Sequence, residues 1–218
     1  DTKSLKVNVP AGALLNTGDR AHFLTRYSGE RLTTLREQIA NNELSSVDCL
    51  RLLHEQSLLV EPEMQDAGEL VPFLLAYRNS VEEPVWAMVS TVARSLRAFV
   101  DGNEKASVRL GEFYKELVKK PYERLGWRPK ANESTSDAQL RADILNLVVH
   151  SHDGEMTAEA EQVFNETSLE AIDANIRVSV LRAVLGRQQN DALFDELFEV
   201  YKTSSSPELK QDLMYSLT

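Results

Sequence analysis

The sequence predicts an all-α protein, an irregular α-solenoid of helix hairpins with a short β segment at its N-terminus. From Glu30 onward, apolar residues recur every three or four positions in about ten consecutive segments, the spacing of amphipathic helices. Taken in pairs, these segments form units of roughly 30 to 47 residues, the range of HEAT-like and armadillo-like hairpins. Such hairpins commonly stack, because a single hairpin cannot bury its apolar face alone.

The β segment is predicted at residues 1–28 and the helical solenoid domain at residues 29–218. Residue types alternate at 5–9 and again at 23–27, and the turn residues Asn16-Thr17-Gly18-Asp19 lie between the two runs. A lone hairpin is marginal in water. We therefore expect these strands to belong to a sheet whose other strands lie outside this sequence.

The first five predicted helices have clear boundary signals. Ser45-Ser46-Val47-Asp48 caps the second, Pro84 opens the fourth, and Pro121 should end or kink the fifth. Their apolar faces are Leu32, Leu35 and Ile39; Leu50, Leu53 and Leu58; Leu70, Phe73, Leu74 and Tyr77; Trp86, Val89, Ala93, Leu96 and Val100; and Leu110, Phe113, Tyr114, Leu117 and Val118.

The later helices follow a polar loop. Ser136 can cap the first of them, with Gln139 completing a capping box. Residues 176–180 could also form a strand, but the helical spacing continues without a turn signal, so length favours a helix. The apolar faces are Leu140, Ile144, Leu147 and Val148; Met156, Ala160, Val163 and Phe164; Ile176, Val180, Leu181, Val184 and Leu185; Phe194, Leu197, Phe198 and Tyr201; and Leu209, Leu213 and Leu217.

Several short pieces keep a distinctive order along the second half of the chain: Leu125-Gly126-Trp127, an acidic and polar loop, Leu140-Arg141, Val163-Phe164, and the run from Ile172 to Arg177. In this order and spacing the chain resembles the C-terminal helical domain of zinc aminopeptidases of the aminopeptidase N family. The run Leu15-Asn16-Thr17-Gly18, followed by Phe23 and Arg26-Tyr27, is similar to the family's segment between the β-sandwich and the helical domain. Residues 22–25 depart from that segment's paired tyrosines.

The resemblance implies a non-catalytic C-terminal domain of a zinc metallo-aminopeptidase that removes N-terminal residues from peptides. It implies a domain that caps the active site and restricts access. The partners would be the catalytic and β-sandwich domains of the same protein and peptide substrates. Zinc would lie in the catalytic domain, where a zinc-activated water and a glutamate base would carry the reaction. A free-standing α-solenoid adaptor that binds a partner protein, or a small enzyme in its own right, are the alternatives.

No residue pattern in this chain indicates a catalytic or metal site. Zinc peptidases place two histidines one helical turn apart, as His-Glu-x-x-His, but His54-Glu55 is followed by Leu58 at the second position. We expect His54 and Glu55 to be surface residues. His150 and His152 are interpreted as helix-end residues, and Cys49 as a core or boundary residue.

Charge is unevenly distributed along the second half of the chain. Residues 151–176 contain seven acidic residues and no Lys or Arg, whereas basic residues cluster around Pro121 at 115, 119, 120, 124, 128 and 130. Two solvated helix faces would explain this pattern. The functional alternative is a polarised lining that handles charged peptide ends.

Two arginines, Arg141 and Arg177, are the candidate substrate-binding residues of the intact enzyme. Both belong to the pieces that carry the resemblance, and a guanidinium suits a peptide carboxylate. Each also lies beside core positions, so each could instead tie neighbouring helices together through an acidic partner.

Composition narrows the classes of partner and compartment. The net charge of −10 and the isoelectric point near 5.0 argue against nucleic acid or an anionic membrane surface as partners. One cysteine cannot form an internal disulfide, and no apolar run approaches the roughly 20 residues of a membrane span. We expect a cytoplasmic protein. Because the chain lacks an initial methionine and ends inside a predicted helix, we also expect a C-terminally truncated piece of a longer protein.

Overall fold

A computed structural model of the chain describes residues 8–10, 13–27, 29–60, 66–189 and 191–218. These residues form ten α-helices and no strand, which confirms the all-α prediction. The helices are α1 Gly29–Ala40, α2 Ser46–Val60, α3 Leu70–Ala76, α4 Glu83–Ser95, α5 Glu104–Leu125, α6 Thr135–Ser151, α7 Gly154–Glu166, α8 Ala174–Gln188, α9 Asp191–Thr203 and α10 Pro207–Leu217. Short 3₁₀ turns lie at Ala67–Glu69, Tyr77–Asn79, Leu96–Phe99 and Leu169–Ala171.

Polar side chains set the start of many of these helices. Each accepts a hydrogen bond from a backbone N–H of the first turn, one of the donors that a helix start leaves without a partner. The caps of α5, α6, α7, α8 and α10 are Asn103, Ser134, Asp153, Asp173 and Ser206. The cap predicted at Ser136 is therefore wrong by two residues, because Ser134 binds the N–H of Asp137 at 3.1 Å.

The backbone contacts divide the chain into two units, residues 1–80 and 81–218. In the first unit α3 packs against both α1 and α2. The fully buried side chains of this unit are Leu35, Leu52, Leu53, Leu70, Phe73, Leu74 and Tyr77. Residues before α1 share this unit, whereas the sequence analysis placed a boundary at residue 28. The predicted domains, 1–28 and 29–218, stay a prediction.

In the second unit the even-numbered helices form a row. α6 packs against α4 and α8, and α8 packs against α10, while α5, α7 and α9 each pack on the even-numbered helix that follows. This alternation is typical of stacked helix hairpins. A solenoid built from the whole chain stays a prediction. The side chains at the centre of this unit are Trp86, Val89, Ala93, Leu117, Val118, Trp127, Ile144, Leu147, Val148, Val180, Leu181 and Leu213.

The N-terminal segment contains no strand in its described residues, 8–10 and 13–27. Its backbone donors bind side chains instead: the N–H of Leu15 donates to the Tyr27 hydroxyl at 3.0 Å, and that of Gly18 donates to the Asp48 carboxylate at 2.9 Å. Backbone groups with side-chain partners need no neighbouring strand. The strand predicted at 23–27 is thus not found, and most of the one predicted at 5–9 lies outside the described residues.

Helix α5 continues through Pro121 to Leu125, so the end that Pro121 could have caused does not occur. Pro121 is buried, and the carbonyls of Leu125 and Gly126 at the helix end accept hydrogen bonds from a side chain of α6. Tertiary packing of a helix commonly outweighs local preferences such as that of proline.

The helices of the described residues are amphipathic rather than uniformly apolar. Even α5, at 22 residues, carries many Lys and Glu side chains. None of the described helices combines the length and the apolarity that are needed to cross a bilayer.

Candidate functional site

Arg141 lies on α6 with its side chain 2% exposed. Its guanidinium donates to the carbonyls of Leu125 at 3.2 Å and Gly126 at 3.1 Å, at the end of α5. It also pairs with both carboxylate oxygens of Glu133, the two-pronged geometry that guanidinium and carboxylate favour. These hydrogen bonds lower the pKa of Glu133. Arg141 therefore ties the end of α5 and the following loop to α6.

Arg177 has a similar arrangement on α8. Its Nη1 donates to Asp212 Oδ2 on α10 at 2.6 Å, and its Nη2 donates to the carbonyl of Ile172 at 2.9 Å, just before α8. Its Nε is buried and has no hydrogen-bond partner among the described residues. Like Arg141, it fixes the segment before its own helix through backbone carbonyls and binds a carboxylate.

The contacts of both arginines are those expected if each joins neighbouring helices through an acidic partner, the alternative to substrate binding. Each is almost wholly buried, at 2% and 5% exposure, and each has a protein carboxylate as its partner. Contact of Arg141 or Arg177 with a peptide in an intact enzyme stays a prediction. A peptide carboxylate would first have to displace Glu133 or Asp212.

A third buried arginine, Arg51 on α2, was missed by the sequence analysis. Its Nη1 donates to Glu55 at 2.9 Å and its Nη2 donates to the carbonyl of Leu15 at 2.8 Å, which joins the N-terminal segment to α2. Glu55 is 3% exposed and also accepts from the N–H of Thr25. The expectation of a surface Glu55 is therefore wrong, whereas His54 is exposed. The i,i+4 spacing of Arg51 and Glu55 was the signal available in the sequence.

The basic and acidic stretches of the second half bind each other. Lys115 on α5 lies 2.6 Å from the carboxylate of Asp153 at the start of α7, and this pair lowers the pKa of Asp153. Arg128 contacts Glu166 at 2.7 Å and Glu159 at 3.4 Å. The two charged stretches are thus linked by ion pairs, an arrangement that neither interpretation from the sequence included.

His150 and His152 lie at the end of α6, as predicted. His152 has a φ of 53° and ends the helix in the left-handed region, and the Nδ1 of His150 lies 2.8 Å from the carbonyl of Asn146. Burial lowers the pKa of His150. The His150 side chain is therefore mostly neutral at pH 7 and has little attraction for the negative end of the helix dipole.

Two open grooves flank the turn between α6 and α7. The larger, of about 640 Å³, lies beside the N-terminal half of α5 and is lined by Arg97, His150 and Lys115 among others. The second, of about 470 Å³, lies toward α8 and is lined by Arg182 and others. His152 lines both grooves.

The charges of two arginines also influence His150, which the sequence analysis did not identify. Arg97 and Arg182 act on the same half-buried His150, which packs edge-on against Tyr114 with ring centroids 6.4 Å apart. Arg97 and Arg182 are far apart along the chain and come from different helical pairs. No spacing in the sequence could have indicated that both act on His150.

The fold and these contacts define a helical domain whose buried arginines join separate segments of the chain. Residues 13–218 match the family model of the ERAP1-like C-terminal domain, and the chain belongs to that family. The resemblance inferred from the residues is thereby confirmed.

Relatives of the chain are aminopeptidases of bacteria and fungi. The chain is 33% identical over 208 residues to "Aminopeptidase N" of Lactobacillus helveticus, which covers 94% of this chain and 24% of that protein. It is 29% identical over 215 residues to "Aminopeptidase N" of Lactobacillus delbrueckii subsp. lactis, covering 98% and 25%. It is 23% identical over 217 residues to "Aminopeptidase 2" of Candida albicans, covering 96% and 23%. The chain spans about a quarter of the length of these relatives.

Proposed function

We propose that the chain is the non-catalytic C-terminal domain of a zinc metallo-aminopeptidase that removes N-terminal residues from peptides. In this proposal the domain caps the active site and restricts which substrates reach it. Its partners are the catalytic and β-sandwich domains of the same protein, together with peptide substrates. The cytoplasm is the proposed compartment, in keeping with a single, buried Cys49.

The observation that carries the proposal is the family match over residues 13–218, together with relatives that are named aminopeptidases and are about four times longer. The contacts support it further. The buried side chains of Arg51, Arg141 and Arg177 each join separate chain segments. A domain whose segments are joined in this way is suited to keep a rigid shape over an active site that the catalytic domain supplies.

The zinc of such an enzyme does not fit the donors in the part of the chain that the structure describes. Among the described residues there is no group of three or more His, Cys, Asp or Glu side chains arranged to hold a metal. The one His-Glu pair on α2 has its glutamate engaged with Arg51, and Leu58 stands where a second histidine would be needed. In this proposal the zinc is held by residues of the catalytic domain.

The test is made on the intact protein to which the chain belongs. It should contain about one zinc per molecule, as expected of this class of catalytic site, and should release N-terminal residues from aminoacyl amides. An intact protein with neither zinc nor turnover would overturn the proposal and favour an adaptor.

The capping role is tested with substrates that share one N-terminal residue and differ in size. Short peptides should be hydrolysed, whereas a folded protein with the same exposed N-terminus should be left intact. Equal rates for the peptide and the folded protein would contradict restricted access while leaving the aminopeptidase proposal standing.

A further inference from the structure

An exposed row of aromatic side chains runs along α9. Phe194 is 41% exposed, Phe198 is 39% exposed, and Tyr201 is partly exposed. Their rings stack in sequence, with centroids 6.3 Å apart between Phe194 and Phe198 and 6.0 Å apart between Phe198 and Tyr201. Leu193 and Leu197, the buried side chains of α9, lie on a different side of the helix, about 100° away around its axis. We call Phe194, Phe198 and Tyr201 the aromatic face.

A row of carboxylates, here called the acidic row, borders the aromatic face. Asp191, Asp195 and Glu199 are exposed and follow one another at four-residue intervals. Since successive residues of a helix lie about 100° apart around its axis, the aromatic face lies between the buried leucines and the acidic row. Glu199 pairs with Lys202 at 2.7 Å, whereas Asp191 and Asp195 form no ion pair with any residue that the structure describes. The border of the aromatic face is therefore negatively charged.

The aromatic face is unlike the outer surface of a helix that ends a stack of hairpins. Terminal helices of such stacks present a polar outer face, which keeps the protein soluble. Contiguous exposed apolar side chains instead mark sites of interaction, and aromatic residues are enriched at the centres of protein interfaces. The aromatic face is therefore suited to pack against a further helix.

The neighbouring helices α5 and α7 show the charge pattern that such a contact takes in this protein. α7 supplies the carboxylates, and α5 with the loop after it supplies the bases: Lys115 lies 2.6 Å from Asp153, and Arg128 lies 2.7 Å from Glu166. The acidic row of α9 forms no ion pair with another helix among the described residues. A helix that packed on α9 as α5 packs beside α7 would thus carry Lys or Arg.

The aromatic face also attracts cations directly. The ammonium group of Lys202 lies 4.5 Å from the centroid of the Phe198 ring, close enough for a cation–π interaction. Exposed rings next to carboxylates attract a positive charge in two ways, through the ring face and through ion pairing. Both favour a basic partner.

We propose that the aromatic face and the acidic row of α9 bind a basic amphipathic helix of the intact protein that lies outside this chain. Apolar side chains of that helix cover the aromatic face, and its Lys or Arg side chains pair with Asp191 and Asp195. Because the chain spans about a quarter of the length of its relatives, a protein of that length has further residues to supply such a helix. This inference rests on the proposed function only in placing the chain within a longer protein.

The charges of α9 disfavour two other occupants of this face. An anionic membrane surface would be repelled by the acidic row. A second copy of the chain would bring the same acidic row and a net charge of −10. A basic helix is the occupant whose charge complements that of α9.

The experiment compares the isolated chain with the intact protein by hydroxyl-radical labelling of side chains, measured by mass spectrometry. Labelling of Phe194 and Phe198 should fall about fourfold in the intact protein, because side chains that are 41% and 39% exposed become buried on packing. Labelling of Phe99, which is 60% exposed in the 3₁₀ turn after α4, is the control. Unchanged labelling of α9, or an equal fall at Phe99, would overturn the proposal.

Matched charge reversals in the intact protein test the chemistry of the occupant. Asp195→Lys places a positive charge in the acidic row and should raise the labelling of Phe198 about twofold, because it repels a basic helix. Glu196→Lys is the control, since Glu196 is also exposed but lies on the opposite side of α9 from the aromatic face. Equal effects of the two reversals, or no effect of Asp195→Lys, would refute a basic partner.

Sedimentation of the isolated chain tests the second copy as occupant. The chain should be monomeric, and the labelling of α9 should not depend on its concentration. A dimer in which the labelling of α9 falls would overturn the proposal, because a second copy would then be the occupant. Zinc content and turnover are measured on the same intact protein, so a failure of the proposed aminopeptidase function is distinguished from an exposed α9.

Discussion

Arg177 on α8 and Asp212 on α10 form a nearly buried ion pair, with 2.6 Å between Nη1 and Oδ2 and side-chain exposures of 7% and 15%. Removing one partner of such a pair leaves the other charge buried without compensation. Asp212→Ala should therefore lower the free energy of unfolding by about 2 to 3 kcal/mol, measured by urea denaturation. Glu208→Ala is the control, because Glu208 is 65% exposed and lies 3.8 Å from the same guanidinium. Equal small losses for both variants would show that the pair does not join the helices.

Arg141 provides a second test of the tying role. Arg141→Ala removes hydrogen bonds to Glu133 and to two carbonyls at the end of α5, so it should lower the free energy of unfolding by about 2 to 4 kcal/mol. If the variant of the intact enzyme is destabilised and its Michaelis constant for peptides is unchanged, the role of Arg141 is structural. If the variant is as stable as the parent and the Michaelis constant rises for peptides but not for single-residue amides, Arg141 binds the substrate carboxylate instead.

The helices were predictable because their signals are local. The apolar residues of each helix repeat every three or four positions. Caps such as Ser45 and Ser206 lie directly before the helices that they start. The continuation of α5 through Pro121 was not predictable in the same way. Pro121 is buried within α5, and burial is set by tertiary packing that the local sequence does not contain.

Gly111 marks the close approach of α5 to the end of α6. A Cβ added there would lie 2.9 Å from the carbonyl oxygen of Ser151, a backbone atom that cannot turn away. Gly111→Ala should lower the free energy of unfolding by about 1 to 3 kcal/mol, because overpacking outweighs the better helix propensity of alanine. Urea denaturation measures this change.

Gly186 is the matched control for Gly111, since it also lies within a helix but has nothing within 4 Å of an added Cβ. Gly186→Ala should raise the free energy of unfolding by about 0.5 to 1 kcal/mol through helix propensity alone. Stabilisation by both substitutions would mean that α5 and α6 do not approach so closely.

Asp143 should make stability depend on pH. Burial, aided by the charge of Glu83, raises its pKa from 3.8 to about 6, so the folded protein binds this proton more tightly than the unfolded chain. The contribution to stability is fully present below pH 3.8 and is lost as the pH rises through 6. Above that range Asp143 should cost about 1 kcal/mol, a value reduced for its partial exposure to solvent.

Asp143→Asn removes this titration. The variant should be more stable than the parent at pH 7, and the difference should shrink as the pH falls from 6 to 4. Thermal unfolding of both proteins across this range is the measurement. A variant that is less stable than the parent at pH 7 would show that the ionised carboxylate is favourably bound, contrary to the described contacts.

Most of the contacts that sequence reasoning missed join residues far apart in the chain, the Arg51–Glu55 pair on α2 being the exception. The basic run near Pro121 and the acidic run after Ser151 were visible, but only the packing of α5 beside the start of α7 pairs Lys115 with Asp153. Surface pairs of this kind contribute little energy each and leave no periodic pattern in a sequence.

The non-catalytic role is tested most directly by comparing the purified chain with the intact protein on aminoacyl 4-nitroanilides, with and without added zinc. The intact protein should release 4-nitroaniline. The chain alone should release none under either condition, because the proposed metal site lies outside it. Turnover by the isolated chain, after contaminating peptidases have been removed, would contradict the account.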